Sequence, residues 1–328
     1  MKNFLLIIIT LFLFTSNLKA SNFNPGKNSV SFVSYGDTIS AHLYLPKEYD
    51  ENKEYPTIVL TPPATSVKEQ TIGIYAEALS KEGYITLAFD PRGWGESQGT
   101  PFLLDPSRIV DDTKAAVSYV LTLKSVDKKN VYNMGVCMGA AFSAVATALD
   151  ARVKALIMVS PYMDGNKQFY QSFGNSPYAV RNSIFQASAQ GRQTYFETGE
   201  IVKFQAIPRN EGEIDQTTMQ ITKEMMEYYL PGKPGDTPTW VNAFNSMSVE
   251  HFLSWSADPY VYLLEPVPTL VIYGENAVTA EGAEAFYQSK EGVKEKLVLK
   301  SKSHFDLYHQ KDCVEPSVKK ITSFIDNI

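Results

Sequence analysis

The stretch that decides the fold is Val131-Tyr132-Asn133-Met134-Gly135-Val136-Cys137-Met138-Gly139-Ala140-Ala141. An apolar segment runs into Gly-x-Cys-x-Gly, and a run of small residues typical of a closely packed helix follows. This order predicts a sharp strand-to-helix turn that presents Cys137 as a nucleophile. Side chains at Gly135 and Gly139 would collide with the neighbouring helix and strand. A chance match, with Cys137 a buried core thiol, is the alternative interpretation.

The position of Cys137 also predicts its chemistry. The residue is expected at the N-terminus of the following helix, where backbone N–H groups are free and the helix dipole is positive. Both favour the thiolate over the thiol, and the thiolate is the reactive form of cysteine. The sequence therefore predicts an activated cysteine.

Strands and helices alternate between residues 57 and 160, and this order predicts an α/β fold. Short continuous apolar runs are typical of strands buried on both faces of a sheet. The order strand, helix, strand implies a mostly parallel sheet covered by helices. An antiparallel hairpin is predicted before it at Val30–Tyr35 and Ile39–Leu45. The predicted strands are Thr57–Leu60, Tyr84–Phe89 and Val153–Val159, and the predicted helices are Lys68–Lys81 and Ser107–Leu123.

The alternation breaks at residues 162–258, which are rich in Asn, Gln, Tyr, Phe, Pro and Gly. Long ordered excursions in compact domains are usually functional, so this insertion is predicted to be a lid over the site. A separately folded decorating domain or a long surface excursion is the alternative. The core is then residues 21–161 and 259–328, resuming with strands at Val267–Gly274 and Lys296–Leu299 and ending in a helix at Cys313–Ile325.

Residues 1–20 have the features of a secretory signal peptide. A basic start is followed by the apolar run Phe4–Phe14, which is shorter than the ~20 residues of a membrane span. Cleavage after Ala20 would give an exported protein, periplasmic or secreted, with no stable membrane span. An uncleaved N-terminal anchor is the alternative. A disulfide between Cys137 and Cys313 is conceivable in an exported protein but is disfavoured, because it would consume the nucleophile.

The composition of the chain limits the kinds of partner that it is expected to bind. The chain has 328 residues, 44% of them hydrophobic and 20% charged, with a formal net charge of −6. This balance argues against nucleic acid or an anionic membrane surface as the main partner. The sequence contains no metal-ligand cluster, phosphate-cradling loop or dinucleotide fingerprint, so no cofactor is expected. A small-molecule acyl substrate is the expected partner, and the oligomeric state is left open.

Acyl-transfer chemistry requires a base, an acid that orients it and an oxyanion hole. Of the four histidines, His304 follows the last predicted core strand, where the chain order nucleophile, acid, base places the base. Glu275, just after the strand that ends at Gly274, is the first choice for the acid. Asp164, after the Val153–Val159 strand, is the alternative.

The oxyanion hole is expected to combine two backbone N–H groups. One belongs to Met138, directly after the nucleophile, and the other to the loop after Leu60. Pro62 and Pro63 in that loop carry no N–H. The second donor is therefore Ala64 or Thr65.

Five tracts together resemble a known family. They are Val67–Thr71, Ala88–Ser97, Gly135–Gly139, Gly274–Ala277 and His304–Tyr308. In this order they resemble the dienelactone-hydrolase-like α/β-hydrolases, especially the bacterial YcjY-type branch and the related fungal polyketide transferases. The resemblance implies an α/β-hydrolase fold with Cys137 as nucleophile and His304 as base. It also marks Glu69 as a candidate modulator of the resting thiol.

The predicted function is an exported hydrolase that cleaves an ester, thioester or lactone through an acyl-cysteine intermediate. An acyltransferase or peptidase on the same fold, and a secreted binding protein without activity, are the alternatives. Aromatic residues of the insertion indicate an apolar acyl or aromatic substrate. They are Tyr162, Phe169, Tyr170, Phe173, Tyr178, Trp240 and Trp255.

Overall fold

The computed structural model describes residues 23–167, 177–216 and 218–328. The predicted signal peptide at residues 1–20 lies outside this range, as do Phe169, Tyr170 and Phe173 of the insertion. Among the described residues, no helix is long and apolar enough to cross a membrane.

The described chain is built on an eight-stranded sheet. Its strands are β1 Gly26–Ser34, β2 Asp37–Leu45, β3 Tyr55–Thr61, β4 Ile85–Phe89, β5 Val126–Val136, β6 Ala155–Val159, β9 Thr269–Gly274 and β10 Lys294–Leu299. They lie side by side in the order β1-β2-β4-β3-β5-β6-β9-β10. β1 pairs antiparallel with β2, β2 antiparallel with β4, and all later neighbours are parallel. The predicted mostly parallel sheet with an N-terminal hairpin is therefore confirmed.

Helices cover the two faces of this sheet and fill the insertion. The core helices are α1 Thr71–Lys81, α2 Pro106–Val120, α3 Met138–Ala148, α7 Ala280–Ser289, α8 Asp306–His309 and α9 Lys311–Asp326. The insertion holds α4 Tyr178–Thr198, α5 Gln220–Tyr229, α6 Ser248–Leu253 and the short strand pair β7 Lys203–Phe204 and β8 Phe244–Asn245. Two 3-10 helices, Glu211–Glu213 and Asp258–Leu264, complete the described elements.

Apolar side chains of the sheet form buried clusters beneath the helices. β5 contributes to both faces because its residues alternate in direction. Met134 and Val136 join the cluster under α1 and α9, and Val131 joins the cluster under α2. The small residues of α3, such as Ala140 and Ala144, let this helix lie close against the sheet. The turn between β5 and α3 is thus held by a packed core on both sides.

Helix α1 begins three residues later than the sequence predicts. The pattern predicted a start at Lys68, but α1 starts at Thr71. Lys68 is buried, and its ammonium bonds Asp90 at 2.7 Å and Glu96 at 2.7 Å. Its backbone N–H donates to Asp90 at 2.7 Å. This ion-pair cluster fixes Lys68 in the loop, so tertiary contacts override the helical spacing.

The insertion leaves the core between two neighbouring strands, β6 and β9. Several of its residues contact the loop after β3, and two of them hydrogen bond Thr65 and Ser66. The indole N–H of Trp240 donates to the carbonyl of Thr65 at 3.0 Å, and the Tyr229 hydroxyl hydrogen bonds that of Ser66. These contacts attach the insertion to the loop in which the oxyanion hole is predicted. The lid interpretation of residues 162–258 stays a prediction.

Candidate active site

The turn between β5 and α3 holds Cys137 in a backbone conformation that few residues adopt. Its φ is 57° and its ψ is −125°, in the region that strains an L-residue. A β-carbon at Gly135 would lie 2.1 Å from the carbonyl oxygen of Gly139. One at Gly139 would lie 2.3 Å from the carbonyl oxygen of Thr61. The two flanking glycines are therefore required because the backbones of β5, α3 and β3 meet here.

Three hydrogen bonds converge on the Cys137 sulfur. The backbone N–H groups of Met138 and Ala64 and the hydroxyl of Tyr308 interact with it. Met138 and Ala64 are two of the three predicted oxyanion-hole residues. Thr65 is turned differently, because its φ is 65° and its carbonyl accepts from Trp240. The converging pair is thus the Met138 and Ala64 N–H groups.

The surroundings of Cys137 favour the thiol, contrary to the thiolate expected at a helix N-terminus. Burial raises the pKa of Cys137 to about 11, although the Tyr308 hydroxyl and the two N–H groups act in the opposite direction. Desolvation disfavours the charged sulfur more than the helix end favours it. A reaction that begins with a thiolate at this sulfur would therefore require a base.

His304 is fully buried beside this turn, and both ring nitrogens have hydrogen-bond partners. Its Nδ1 lies 2.9 Å from the hydroxyl of Thr279, and its Nε2 lies 3.1 Å from the hydroxyl of Tyr308. Burial lowers the pKa of His304 to about 3, so the imidazole is neutral near pH 7. A neutral imidazole can accept a proton, as a general base must.

Neither predicted carboxylate contacts His304. Glu275 is exposed and accepts a hydrogen bond from the Ser301 N–H at 3.0 Å. Asp164 accepts from the Lys167 N–H at 2.7 Å and lines a neighbouring cleft. The group bonded to Nδ1 is the Thr279 hydroxyl, at the N-cap of α7. The prediction that Glu275 or Asp164 orients His304 is therefore wrong for this structure, because a neutral hydroxyl is the partner of Nδ1.

Glu69 is engaged away from the thiol. Its carboxylate bonds the Lys68 ammonium at 2.9 Å and the Thr239 hydroxyl at 2.8 Å, and it lies 3.8 Å from Nε2 of His42. The polar groups acting on the Cys137 sulfur come from other residues. In this structure Glu69 belongs to the buried ion-pair cluster of Lys68.

Aromatic side chains surround the site. Tyr229 stacks on Trp240 with ring centroids 5.0 Å apart, and Tyr308 packs on Phe305 with centroids 4.3 Å apart. The aromatic residues that were predicted to line the pocket lie in different parts of the structure. Trp240 lies over the loop after β3, whereas Tyr178 is exposed. The surroundings of the thiol are thus largely apolar.

The remaining predicted aromatics lie along the other side of α3. Trp255 packs on Phe142 with ring centroids 5.2 Å apart. The backbone N–H of Tyr162 donates to the carbonyl of Cys137 at 3.1 Å. Tyr162 also lines a cleft of about 480 Å³ that Thr279 borders. This cleft therefore adjoins both the turn that holds Cys137 and the residue bonded to His304.

Both cysteines are free, so Cys137 is available for reaction. Cys313 is buried in α9. Within the described ranges, no group of three or more His, Cys, Asp or Glu side chains is arranged to hold a metal ion.

Comparison with known proteins identifies the family. A family model described as "Serine aminopeptidase, S33" (Hydrolase_4) matches residues 58–228, more than half of the chain. The chain belongs to this α/β-hydrolase family. The predicted α/β-hydrolase fold is confirmed, and in this chain Cys137 stands between Gly135 and Gly139 in the turn after β5.

Two bacterial relatives match over most of the chain. The uncharacterized protein PA2218 of Pseudomonas aeruginosa is 31% identical over 90% of this chain and 79% of its own. Its crystal structure gives a TM-score of 0.82 at 28% identity and covers 99% of both chains. The uncharacterized protein YcjY of Escherichia coli is 27% identical over 91% of this chain and 98% of its own.

Fungal relatives with assigned names also match. The polyketide transferase grgF of a Penicillium species is 27% identical over 76% of this chain and 81% of its own. A protein named thiohydrolase from Eupenicillium brefeldianum is 24% identical over 77% of this chain and 80% of its own. The resemblance to YcjY and the fungal polyketide transferases is confirmed. Assignment to a dienelactone-hydrolase-like subfamily stays a prediction.

Two further residues contact the site, Thr279 and Tyr308, and neither was assigned a role from the sequence. Thr279 follows Gly274 by five residues, and its hydroxyl takes the position at Nδ1 of His304 where a carboxylate was expected. Tyr308 stands four residues after His304, a spacing that brings both side chains to one side of a helical turn. That spacing was a usable signal for Tyr308.

Proposed function

We propose that this protein cleaves an ester, thioester or lactone through an acyl-Cys137 intermediate. The observation that carries the proposal is the convergence of the Met138 and Ala64 N–H groups on the sulfur of a cysteine held in a nucleophile turn. A neutral, buried histidine lies one hydroxyl group away. The fungal thiohydrolase and polyketide transferase relatives support chemistry at an acyl group.

In the first step the thiol loses its proton to His304, and the sulfur attacks the acyl carbonyl carbon. The carbonyl oxygen becomes an oxyanion, which accepts hydrogen bonds from the Met138 and Ala64 N–H groups. Collapse of this intermediate expels the alcohol or thiol, which takes the proton back from His304. The acyl group is then bonded to Cys137 as a thioester.

In the second step a water molecule attacks the thioester, and His304 takes the proton of the water. The same two N–H groups stabilise the second oxyanion. Collapse releases the carboxylic acid, and the proton on His304 returns to the sulfur. The resting neutral pair of thiol and imidazole is restored.

The surroundings of the thiol favour an apolar acyl group. Tyr229, Trp240 and Phe305 form an aromatic wall near Cys137. Burial of an aliphatic or aromatic acyl chain against these rings would contribute about 0.8 kcal/mol per methylene. Activity is therefore expected to rise with acyl chain length until the chain covers the aromatic wall.

Transfer of the acyl group to an alcohol is the second candidate. It is supported by the polyketide transferase relative and by the apolar wall, which disfavours water next to the thioester. Supplying alcohol acceptors with the ester separates the two reactions, because transfer gives a new ester and hydrolysis gives the free acid. Aminoacyl-p-nitroanilides test the peptidase activity named in the family description.

The test of the proposed function is a chain-length panel of p-nitrophenyl esters and acyl thioesters. Cys137→Ala is expected to lower turnover at least about 10³-fold, because it removes the nucleophile. Intact-mass analysis of the wild type, quenched early, is expected to show one added acyl group. Cys313→Ala is the matched control and retains full activity. Undiminished turnover in Cys137→Ala would refute the mechanism.

We further propose that the protein is exported, on the strength of the signal-peptide pattern at residues 1–20. Fractionation of the native cells, followed by N-terminal sequencing, is expected to give a protein beginning at Ser21 outside the cytoplasm. Retention of Met1 in a membrane fraction would instead establish an uncleaved anchor.

A further inference from the structure

Tyr308 lies between the two residues that must exchange a proton in the proposed reaction. Its hydroxyl is 3.1 Å from Nε2 of His304 and hydrogen bonds the Cys137 thiol. The other ring nitrogen, Nδ1, is hydrogen bonded to the Thr279 hydroxyl. The hydrogen-bonded route from the sulfur to the imidazole therefore passes through a phenol.

We propose that Tyr308 is a catalytic residue that carries the proton between Cys137 and His304, an inference that rests on the proposed function for its role in turnover. The S–H proton moves to the Tyr308 oxygen while the Tyr308 O–H proton moves to Nε2 of His304. A thiolate and an imidazolium form, and the phenol stays neutral. The reverse shift, again through Tyr308, delivers the proton to the leaving group.

The packing of Tyr308 favours a relay over a side chain that swings aside. Tyr308 is fully buried, with its ring 4.3 Å from Phe305 and 5.1 Å from Tyr228, measured between centroids. The short helix α8 that carries it is held by a hydrogen bond from the Tyr75 hydroxyl to the Leu307 carbonyl at 2.9 Å. Moving the ring out would open a cavity in a closely packed cluster.

Burial of Tyr308 keeps its phenol protonated. Burial, together with the Cys137, Tyr229 and Tyr228 groups, raises the pKa of Tyr308 well above its usual value. A phenol that does not ionise by itself transfers one proton only as it receives another. His304 is competent to accept when Nδ1 holds its proton toward the Thr279 oxygen, which leaves the Nε2 lone pair for Tyr308.

The test measures alkylation of Cys137 by iodoacetamide as a function of pH, in a Cys313→Ser background so that one thiol reacts. With the relay intact, the rate is nearly independent of pH between about 5 and 8, because neutral His304 takes the proton over this range. In Tyr308→Phe only the small equilibrium fraction of thiolate reacts. Its rate is then lower at pH 7 by about tenfold or more and rises about tenfold per pH unit.

Tyr228→Phe is the matched control, since it removes a hydroxyl from the neighbouring ring of the same cluster and is expected to keep the flat profile. His304→Gln supplies a second comparison. If Tyr308 acts through His304, the double variant Tyr308→Phe with His304→Gln reacts no more slowly than either single variant. The relay would be overturned if the alkylation rate of Tyr308→Phe did not depend on pH. It would also be overturned if the rate losses of Tyr308→Phe and His304→Gln multiplied in the double variant.

A measurement on the wild type covers the case in which Tyr308→Phe does not fold. The alkylation rate at pH 7 is followed in mixtures of H₂O and D₂O. If two protons move in the rate-determining step, a plot of the alkylation rate against the deuterium fraction is curved. A linear plot excludes the relay. Because no ester is used, failure of the relay is read separately from failure of the proposed function, which is the absence of an acyl-enzyme.

Discussion

Replacing Gly135 by alanine tests the steric basis of the turn that presents Cys137. The new β-carbon would lie 2.1 Å from the carbonyl oxygen of Gly139 and 2.5 Å from the Cα of Ala140. These are backbone atoms, so no side-chain rotation relieves the contact, and β5 or α3 must shift by about 1 Å. Overpacking a closely packed interior costs about 1–3 kcal/mol. Because a whole helix must move here, we expect the free energy of unfolding to fall by about 3 kcal/mol or more.

The assay is urea unfolding followed by far-UV circular dichroism, with alkylation of Cys137 measured on the folded fraction. Gly282→Ala is the matched control, since Gly282 lies in α7 and a β-carbon there meets no atom within 4 Å. It is expected to stabilise the protein by about 0.5–1 kcal/mol through helix propensity. A loss below about 1 kcal/mol in Gly135→Ala would refute the steric argument.

Three further predictions concern the histidine and the thiol. Thr279→Val removes the hydroxyl on Nδ1 of His304 and is expected to lower kcat/KM about tenfold, with Thr279→Ser restoring it; equal activity in the valine variant would contradict this. Glu275→Gln and Asp164→Asn are expected to change activity by less than about twofold, and a hundredfold loss in either would return a carboxylate to the site. Stability is expected to fall on both sides of neutrality. The lowered pKa of His304 stabilises the fold above pH 6.5, and this contribution is lost as pH falls toward 3. The raised pKa of Cys137 stabilises it below pH 9, and this contribution is lost as pH rises toward 11. The alkaline loss is expected to be smaller in Cys137→Ala; an unchanged loss in unfolding titrations would count against the burial argument.

Local pattern was enough to predict much of the core. Continuous apolar runs at Thr57–Leu60 and Tyr84–Phe89 correspond to β3 and β4, because a parallel strand covered on both faces excludes polar residues. The start of α1 was not predicted, because Lys68 is held by Asp90 and Glu96, which are 22 and 28 residues away. Spacing along the chain contains no information on such ion pairs.

The same distinction holds for the candidate site, where chain order predicted one residue and tertiary packing decided the others. Chain order placed His304 next to the turn that holds Cys137, since both follow strands of one parallel sheet and the carboxyl ends of such strands meet at one edge. The partner of Nδ1 was not predictable from residue type, because a threonine occupies a position where carboxylates were sought. Tyr308 was recognisable as part of a motif, but its contact with the thiol depends on how α8 packs against α1.

The sequence by itself determined the turn, with glycines where three backbones meet and a cysteine between them, because these constraints act within five residues. Tertiary structure decided the state of that cysteine. A helix N-terminus favours the thiolate, yet burial among residues from the loop after β3 and from α8 raises the pKa of Cys137 and keeps it a thiol. Desolvation depends on everything that surrounds the sulfur, and those neighbours are brought together only when the chain has folded.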